Sequence, residues 1–331
     1  MQAVVYDTPG DESVLTIETM DAPNITPSAV RISVRATAVN RADLMQRQGN
    51  YPPPPGASKI LGLECVGDIV ETGRIVRKWK VGDRVMALCN GGGYAEEVVV
   101  DEGSVMAVPD GMSDAEAAAF METYLTAFLN IFVIGAPPPT GTVLIHGGGS
   151  GVGTAAITLC KLAGLTTIVT AGSSEKCRQC SQHGATHVIN YKTQKFAEVV
   201  RERTHGVGAN VVLDCIGGSY LADNVHSLSV DGTLVVIGLL GGAKADSLDM
   251  GLMLRKRAKI AFSTLRNRTD RFKADLIRHL QDMFGEELSK GQLKPVVDVI
   301  MPLADVADAH RRMAASEHFG KIVLAVQQPL S

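Results

Sequence analysis

Thr142-Val-Leu-Ile-His-Gly-Gly-Gly-Ser-Gly-Val-Gly-Thr-Ala-Ala156 joins a short apolar run to a glycine-rich turn and then to a helical pattern. The run is bounded by turn residues, as a buried parallel strand is. Such a turn lets the backbone approach a pyrophosphate and aims the free N–H groups of the following helix at it. Counted back from Gly153, the G-x-G-x-x-G pattern falls on Gly148, Ser150 and Gly153, so a serine takes the place of the middle glycine. Two competing motifs fail by one residue each. A P-loop needs a lysine directly before Thr154, where Gly153 stands. A nucleophile elbow, G-x-S-x-G, needs glycine where Val152 stands. Dinucleotide binding remains, with Gly147, Ser150, Gly151, Val152 and Gly153 nearest the pyrophosphate; a bare strand-to-helix turn is the alternative.

Downstream, strands and helices alternate. Thr142–His146, Thr166–Thr170, His187–Asn190, Val211–Asp214, Leu234–Ile237 and Lys259–Ser263 are strand candidates, most of them separated by helical stretches long enough for parallel crossovers. Six strands in this rhythm predict an α/β, doubly wound parallel sheet over residues 123–263. Upstream the texture is different. Gln2–Tyr6, Val30–Val39, Gly67–Glu71, Arg84–Ala87 and Glu96–Val100 are short, valine-rich runs set off by Gly, Pro or Asp, with one helical insertion near Arg41–Gln48. Ser113-Asp-Ala-Glu116 is a capping box, from which one helix is predicted to run into Thr126-Ala-Phe128. After about Thr264 come two amphipathic helices, Phe272–Phe284 and Leu303–Ala315, and a strand, Lys321–Val326, that is expected to rejoin the first domain. Residues 1–122 with 264–331 thus form a β-rich domain into which residues 123–263 are inserted.

Composition excludes several classes. A chain of 331 residues with 45% hydrophobic content can bury two cores. A net charge of −3 gives no field that would recruit nucleic acid or an anionic membrane. The N-terminus carries Asp7, Asp11 and Glu12 instead of a signal pattern, and the apolar stretch Thr123–Gly135 is too short to span a bilayer. Six scattered cysteines suit a reducing compartment. The reading is a soluble cytoplasmic protein.

The end of the second strand selects the cofactor. NAD calls for an acid there, and a 2′-phosphate calls for cations and hydroxyls. Thr170 leads instead into Ala171-Gly-Ser-Ser-Glu-Lys176. Gly172 leaves room, Ser173 and Lys176 can meet a phosphate, and Tyr191 can add a phenolic hydroxyl. Glu175, second in its helix, is expected to face solvent. The cofactor expected is NADPH.

Several blocks outside the turn carry a resemblance. They are Asn40-Arg-Ala-Asp-Leu-Met-Gln-Arg-Gln-Gly49, Tyr51-Pro-Pro-Pro-Pro-Gly-Ala-Ser58, Ile60-Leu-Gly-Leu-Glu64, Trp79-Lys-Val-Gly-Asp-Arg-Val85, Asn90-Gly-Gly-Gly-Tyr-Ala95, Leu213-Asp-Cys-Ile-Gly-Gly-Ser-Tyr220 and Phe319-Gly-Lys-Ile-Val-Leu324. Together with the glycine turn they resemble the medium-chain dehydrogenase/reductase superfamily, and within it the zinc-independent quinone oxidoreductases of the p53-inducible group. The resemblance covers nearly the whole chain. It implies a GroES-like catalytic domain made from both chain ends with a Rossmann domain inserted. It also implies a homodimer or homotetramer, with the strand Lys259–Ser263 as a seam.

What the resemblance implies for the site is specific. Zinc-dependent relatives carry Cys where Asn40 stands and His where Leu63 stands, beside a retained Glu64. An amide and a leucine do not replace a thiolate and an imidazole around tetrahedral zinc, so no metal is expected. Cys177-x-x-Cys180-x-x-His183-x-x-x-His187 has tempting letters, but a helix turns three-residue steps progressively round its axis, and ordinary helix residues are the simpler reading. The implied reaction is hydride transfer from NADPH to a quinone or enone, with polarisation by hydrogen bonds alone. Asn40 is expected to position cofactor or acceptor; Asp43 either holds Asn40 or Arg41 or caps the helix. Tyr51, ahead of four prolines, either donates a proton to the acceptor oxygen or packs against it as an aromatic wall. Thr126 resembles the carboxamide contact, Gly238, Leu239 and Leu240 the segment flanking the nicotinamide, and Cys215 joins the cofactor-binding set. Two rivals stay open. One is an enoyl thioester reductase, for which Arg266, Arg268 and Arg271 form an entrance unless they are simply solvated surface. The other is a non-catalytic crystallin-like or RNA-binding role.

Overall fold

The computed structural model describes residues 1–327 and 330, and the chain divides into two compact units, Met1–Leu125 with Leu265–Ser331, and Thr126–Thr264.

The inserted unit is an α/β Rossmann-like layer structure. Its sheet has six strands in the order His187–Asn190, Thr166–Ala171, Thr142–Ile145, Ala209–Asp214, Leu228–Val236 and Lys259–Phe262, all parallel. All six strand candidates are present. The fifth begins earlier than its apolar run suggests, because Leu228–Thr233 pairs alongside Ala209–Val211 through a register shift. The order reverses between Thr142–Ile145 and Ala209–Asp214, so the loops leaving these two strands open a crevice at their carboxyl ends. Leu144, Ile168, Ile189, Val212 and Leu234 bury the sheet against Phe196 and Val200 of a covering helix, Phe196–Arg203.

The flanking unit is β-rich and GroES-like. Its main sheet runs Val297–Pro302, Lys321–Ala325, Ala29–Ala38, Glu64–Thr72, Arg84–Leu88 and Val105–Ala107, with Glu97–Asp101 also pairing along Ala29–Ala38. Alternating burial along Ala29–Ala38 places Val30, Ile32 and Val34 in one core. Lys321–Ala325 lies antiparallel to Ala29–Ala38 and parallel to Val297–Pro302, a strand that the sequence pattern did not announce. All five of its residues are buried, including the lysine.

The helix predicted to run unbroken from the capping box is two helices, Asp114–Ala118 and Met121–Phe128. The capping box itself forms: Ser113 Oγ accepts from the Glu116 N–H at 3.3 Å, and Glu116 Oε2 accepts from the Ser113 N–H at 2.8 Å. The break at Ala119–Phe120 has a physical reason. It frees the N–H of Glu122, near the start of the second helix, to donate to Glu64 Oε2 at 3.0 Å. Among the described residues no helix is long and apolar enough to cross a membrane.

Candidate functional site

In the inserted unit the glycine turn forms as a strand–turn–helix junction. Gly147 has φ +72, a left-handed conformation that favours glycine. Ser150 is the N-cap of the helix Gly151–Leu162, its Oγ accepting from the Gly153 N–H at 3.0 Å. The serine at the position of the missing glycine is therefore a helix cap, and the first N–H groups, those of Gly151 and Val152, are left for a ligand. A Cβ on Gly153 would lie 2.4 Å from the Gly147 carbonyl oxygen, and one on Gly148 would lie 2.0 Å from Val169 Cγ1. The helix start is pressed onto the strand more closely than any side chain allows.

Around this turn the structure gathers most of the sequence-predicted cofactor residues. Cys215 Sγ faces the His146 carbonyl at 3.6 Å and would lie 3.2 Å from a Cβ on Gly147. The Leu240 N–H donates to the Cys215 carbonyl at 3.2 Å, and a Cβ on Gly238 would meet the same oxygen at 2.9 Å. Leu239 and Leu240 are exposed. Thr126, in the helix Met121–Phe128, is half-buried, gives its carbonyl to Asn130 Nδ2 at 2.7 Å and makes no hydrogen bond to the turn.

The segment after Thr166–Ala171 holds Gly172, Ser173 and Lys176, the residues that the sequence assigns to a 2′-phosphate. A Cβ on Gly172 would come within 2.5 Å of the Tyr191 hydroxyl, so the glycine makes the space that this hydroxyl enters. Ser173 caps the helix Ser174–His183, its Oγ accepting from the Lys176 N–H at 3.2 Å. Glu175 is turned to Arg178, whose Nη2 approaches both of its carboxylate oxygens at 2.6–2.7 Å. That acid is occupied on the outer face of its helix. The Cys177-to-His187 letters do not converge either. Cys180 is buried and faces Gly148, whose Cβ would lie 3.0 Å from its Sγ, while His183 Nε2 lies 3.0 Å from Thr158 Oγ1.

A buried support that the sequence did not reveal fixes the loop at Cys215. Asp214 accepts from the N–H groups of Ile216 and Gly217 at 2.7 and 3.1 Å and from Asn224 Nδ2 at 3.1 Å. Asn224 Oδ1 in turn lies 2.7 Å from His146 Nε2. Burial holds the His146 imidazole down to about 4, so at neutral pH the ring is neutral and donates through Nε2.

In the flanking unit the polar centre is Asn40, Glu64 and Lys321. Lys321 Nζ, at a residue 2% exposed, donates to Glu64 Oε1 at 2.8 Å, Asn40 Oδ1 at 2.7 Å and the Val39 carbonyl at 2.8 Å. Asn40 Nδ2 donates to the same Glu64 oxygen at 3.0 Å and to the Ala38 carbonyl at 3.3 Å. The ammonium on one side and the carboxylate on the other fix which amide atom is which. Both amide N–H groups of Asn40 are used within the protein, and its Oδ1 already accepts from Lys321. Leu63, beside this group, is 1% exposed.

Asp43 both caps and holds. Its Oδ2 accepts from the Asn40 N–H at 2.8 Å and its Oδ1 from the Gly62 N–H at 3.0 Å. A chain of contacts supports it from behind: Tyr94 hydroxyl to Asp43 Oδ2 at 3.2 Å, His310 Nε2 to Tyr94 at 3.2 Å, and Arg47 Nη1 to His310 Nδ1 at 3.2 Å. Burial pushes Asp43 up to about 6, against the pull of its two backbone donors.

Tyr51 is half-buried with the Arg266 guanidinium 5.6 Å from its ring centroid. Burial, followed by the negative charge of Glu122, raises its phenol above the ordinary value, so it stays protonated. Arg266, grouped by sequence with surface arginines, is 4% exposed and donates through Nε and Nη2 to the Asn90 carbonyl at 2.9 and 2.7 Å. It is no part of a solvated entrance.

The half-buried Glu122 is pushed up to about 8, first by burial and then by the Glu64 carboxylate. The sign is that of a carboxyl bound more tightly to its proton in the folded state. Its stabilising contribution is complete below the unfolded value near 4.5 and is lost as pH rises through about 8. Glu122→Gln should therefore flatten the decline in stability over this window and be the more stable protein by a few kcal/mol at about pH 9. Urea unfolding at several pH values checks it; parallel profiles for the two proteins would remove this assignment.

The family described as "Alcohol dehydrogenase GroES-like domain" matches residues 26–110, and the family described as "Zinc-binding dehydrogenase" matches residues 151–282. The synaptic vesicle membrane protein VAT-1 homolog of Rattus norvegicus is 32% identical over 316 residues, covering 90% of this chain and 77% of its own. Quinone oxidoreductase-like protein 2 of Bos taurus is 30% identical, with 95% and 89% covered. Among solved structures, a quinone oxidoreductase of Pseudomonas syringae pv. Tomato superposes with a TM-score of 0.87 at 27% identity, covering 98% and 99% of the two chains. A mycobacterial protein solved in complex with NADPH gives 0.86 at 27%, covering 98% and 100%. An enoyl reductase, CurK, gives 0.86 at 28%, covering 98% of each chain.

Proposed function

We propose that this chain, which belongs to the medium-chain dehydrogenase/reductase superfamily, is an NADPH-dependent, zinc-free reductase of quinones and other conjugated carbonyl acceptors. The observation that carries the reading is Lys321 on Glu64 and Asn40. Glu64 is the acid that zinc-dependent relatives retain beside their Cys and His ligands. Here its charge is already met by an ammonium, and its neighbours are an amide and a buried leucine. This donor set does not fit tetrahedral zinc. Among the described residues no cluster of three or more His, Cys, Asp or Glu side chains could hold a metal.

For NADPH, the residues that would hold it are the Gly147–Gly153 turn for the pyrophosphate and Ser173, Lys176 and Tyr191 for the 2′-phosphate. When bound, the reduced nicotinamide supplies a hydride. The protein's own tasks are to orient the acceptor, to exclude water and to supply a proton where charge develops. Quinones and enones suit such a site, because their reduction places charge on an oxygen conjugated to the attacked carbon. A plain alcohol would require ionisation of its hydroxyl, for which this cluster has no means.

Asn40, with both amide N–H groups engaged, positions by its shape and is not the donor. Tyr51 is the donor we favour, as a phenol that stays protonated beside a rigid proline run. Tyr51→Phe should lower kcat for quinones by about ten- to a hundredfold while the affinity for NADPH holds. An unchanged kcat would reduce Tyr51 to a packing wall. The reading as a whole is tested by NADPH oxidation against a panel of ortho- and para-quinones and enones with NADH as the control. Faster turnover of a crotonyl thioester than of any quinone would favour the enoyl reductase alternative, to which CurK is a structural pointer. The same reading makes the chain a homodimer or homotetramer through the edge strand Lys259–Phe262, on which Phe262 is 73% exposed.

A further inference from the structure

Two buried cations of the flanking unit are hydrogen-bonded only to neutral groups. Arg266 is 4% exposed and Lys273 is 1% exposed. Arg266 gives Nε and Nη2 to the Asn90 carbonyl, while Lys273 gives Nζ to Asn90 Oδ1 and to the Arg266 carbonyl at 3.0 Å. Neither takes part in an ion pair among the described residues. Arg266 Nη1 is buried and has no hydrogen-bond partner. Asp43 and Glu122 act on Arg266, and Asp270 and Glu122 on Lys273, only through space, and a buried guanidinium with an unmet N–H is costly to retain. Burial lowers the pKa of both from their ordinary values, as desolvated cations require.

The placement of this group is specific. The guanidinium lies beside the Tyr51 ring, 5.6 Å from its centroid. Gly91, at φ +137, brings the Asn90 loop so close to the Ser58–Ile60 segment that a Cβ would lie 2.6 Å from the Ser58 carbonyl and 3.3 Å from Arg266 Nη2. Arg266 is thus locked between Asn90 and the Tyr51-to-Ser58 loop, with one donor unused. A guanidinium edge is suited to a planar anion, because its N–H groups match carboxylate geometry.

We propose that Arg266, backed by Lys273, is a specificity-determining residue that receives a carboxylate carried by the acceptor, so that the preferred substrates are conjugated carbonyl compounds bearing a fixed negative charge. This rests on the reading above that the Tyr51 loop faces the acceptor. The test is direct binding, which needs no turnover. Calorimetry with NADP⁺-saturated protein should find 2-naphthoate bound about tenfold or more tightly than the isosteric 2-naphthamide. Arg266→Gln should bring the two ligands to parity, and Arg266→Lys should keep part of the preference. Equal binding of both ligands by the unaltered protein, or a preference undiminished in Arg266→Gln, would overturn the proposal. Should Arg266→Gln fail to fold, the comparison on the unaltered protein still decides. A quinone screen without turnover would sink the reductase reading while leaving this binding result standing.

Discussion

Lys321→Met should lower the stability of the flanking unit by about 3–5 kcal/mol. The substitution keeps most of the side-chain volume and removes the ammonium, leaving Glu64, whose side chain is 0% exposed, as an uncompensated buried carboxylate. Asn40 Oδ1 and the Val39 carbonyl lose their donor at the same time. The single tryptophan, Trp79, packs in a core of the same unit, so urea unfolding followed by its fluorescence reports on the right part of the chain. The second variant makes the argument specific. Glu64→Gln in the Lys321→Met background removes the stranded charge, while the amide oxygen can still accept from Asn40 or the Glu122 N–H. Most of the lost stability should return. A double variant no better than the single one would mean that the stranded Glu64 charge is not the source of the loss.

Gly153→Ala should weaken binding of NADPH and NADH alike by about a hundredfold, roughly 2.7 kcal/mol. Its Cβ would meet the Gly147 carbonyl oxygen at 2.4 Å and Gly148 Cα at 2.7 Å. These are backbone atoms of the turn itself, and no rotamer change relieves them. The helix start must move off the strand and carry the Gly151 and Val152 N–H groups with it. Lys176→Ala is the control that separates geometry from charge. It should weaken NADPH by about ten- to a hundredfold and leave NADH nearly unchanged. Titration by nicotinamide fluorescence reads both. Equal losses for both cofactors in Lys176→Ala would take the 2′-phosphate role away from this lysine.

What the sequence made legible follows from the range of the interactions involved. The six parallel strands and the glycine turn are written in local signals: apolar runs, glycines and a capping serine. The capping box at Ser113 is equally local, yet the helix after it breaks, because the Glu122 N–H answers to Glu64, fifty-eight positions earlier. Asp43 could be placed next to Asn40 by helix spacing, whereas Tyr94 and His310 behind it come from two distant segments and only Arg47 shares its helix. Lys321 is the hardest case. Its letters, Lys-Ile-Val-Leu-Ala, read as a strand with a charged end, and its partners lie more than 250 positions away. Arg266 is misleading in the sequence for a related reason. Three arginines within six residues have the look of solvated surface, and the burial of the first of them is decided by Asn90 in a distant loop.

The strand Lys321–Ala325 also sets an order of events during translation. It fills the place between Val297–Pro302 and Ala29–Ala38, so that edge of the flanking sheet stays open until residue 325 has left the ribosome. Every strand of the inserted sheet lies between Thr142 and Phe262 and is available earlier. The nucleotide-holding unit can therefore close while the unit whose synthesis began first still waits. During that interval Glu64 and Asn40 have no ammonium. Until then the flanking unit has an open sheet edge and an unneutralised acid, and an open edge is a template for pairing with other chains.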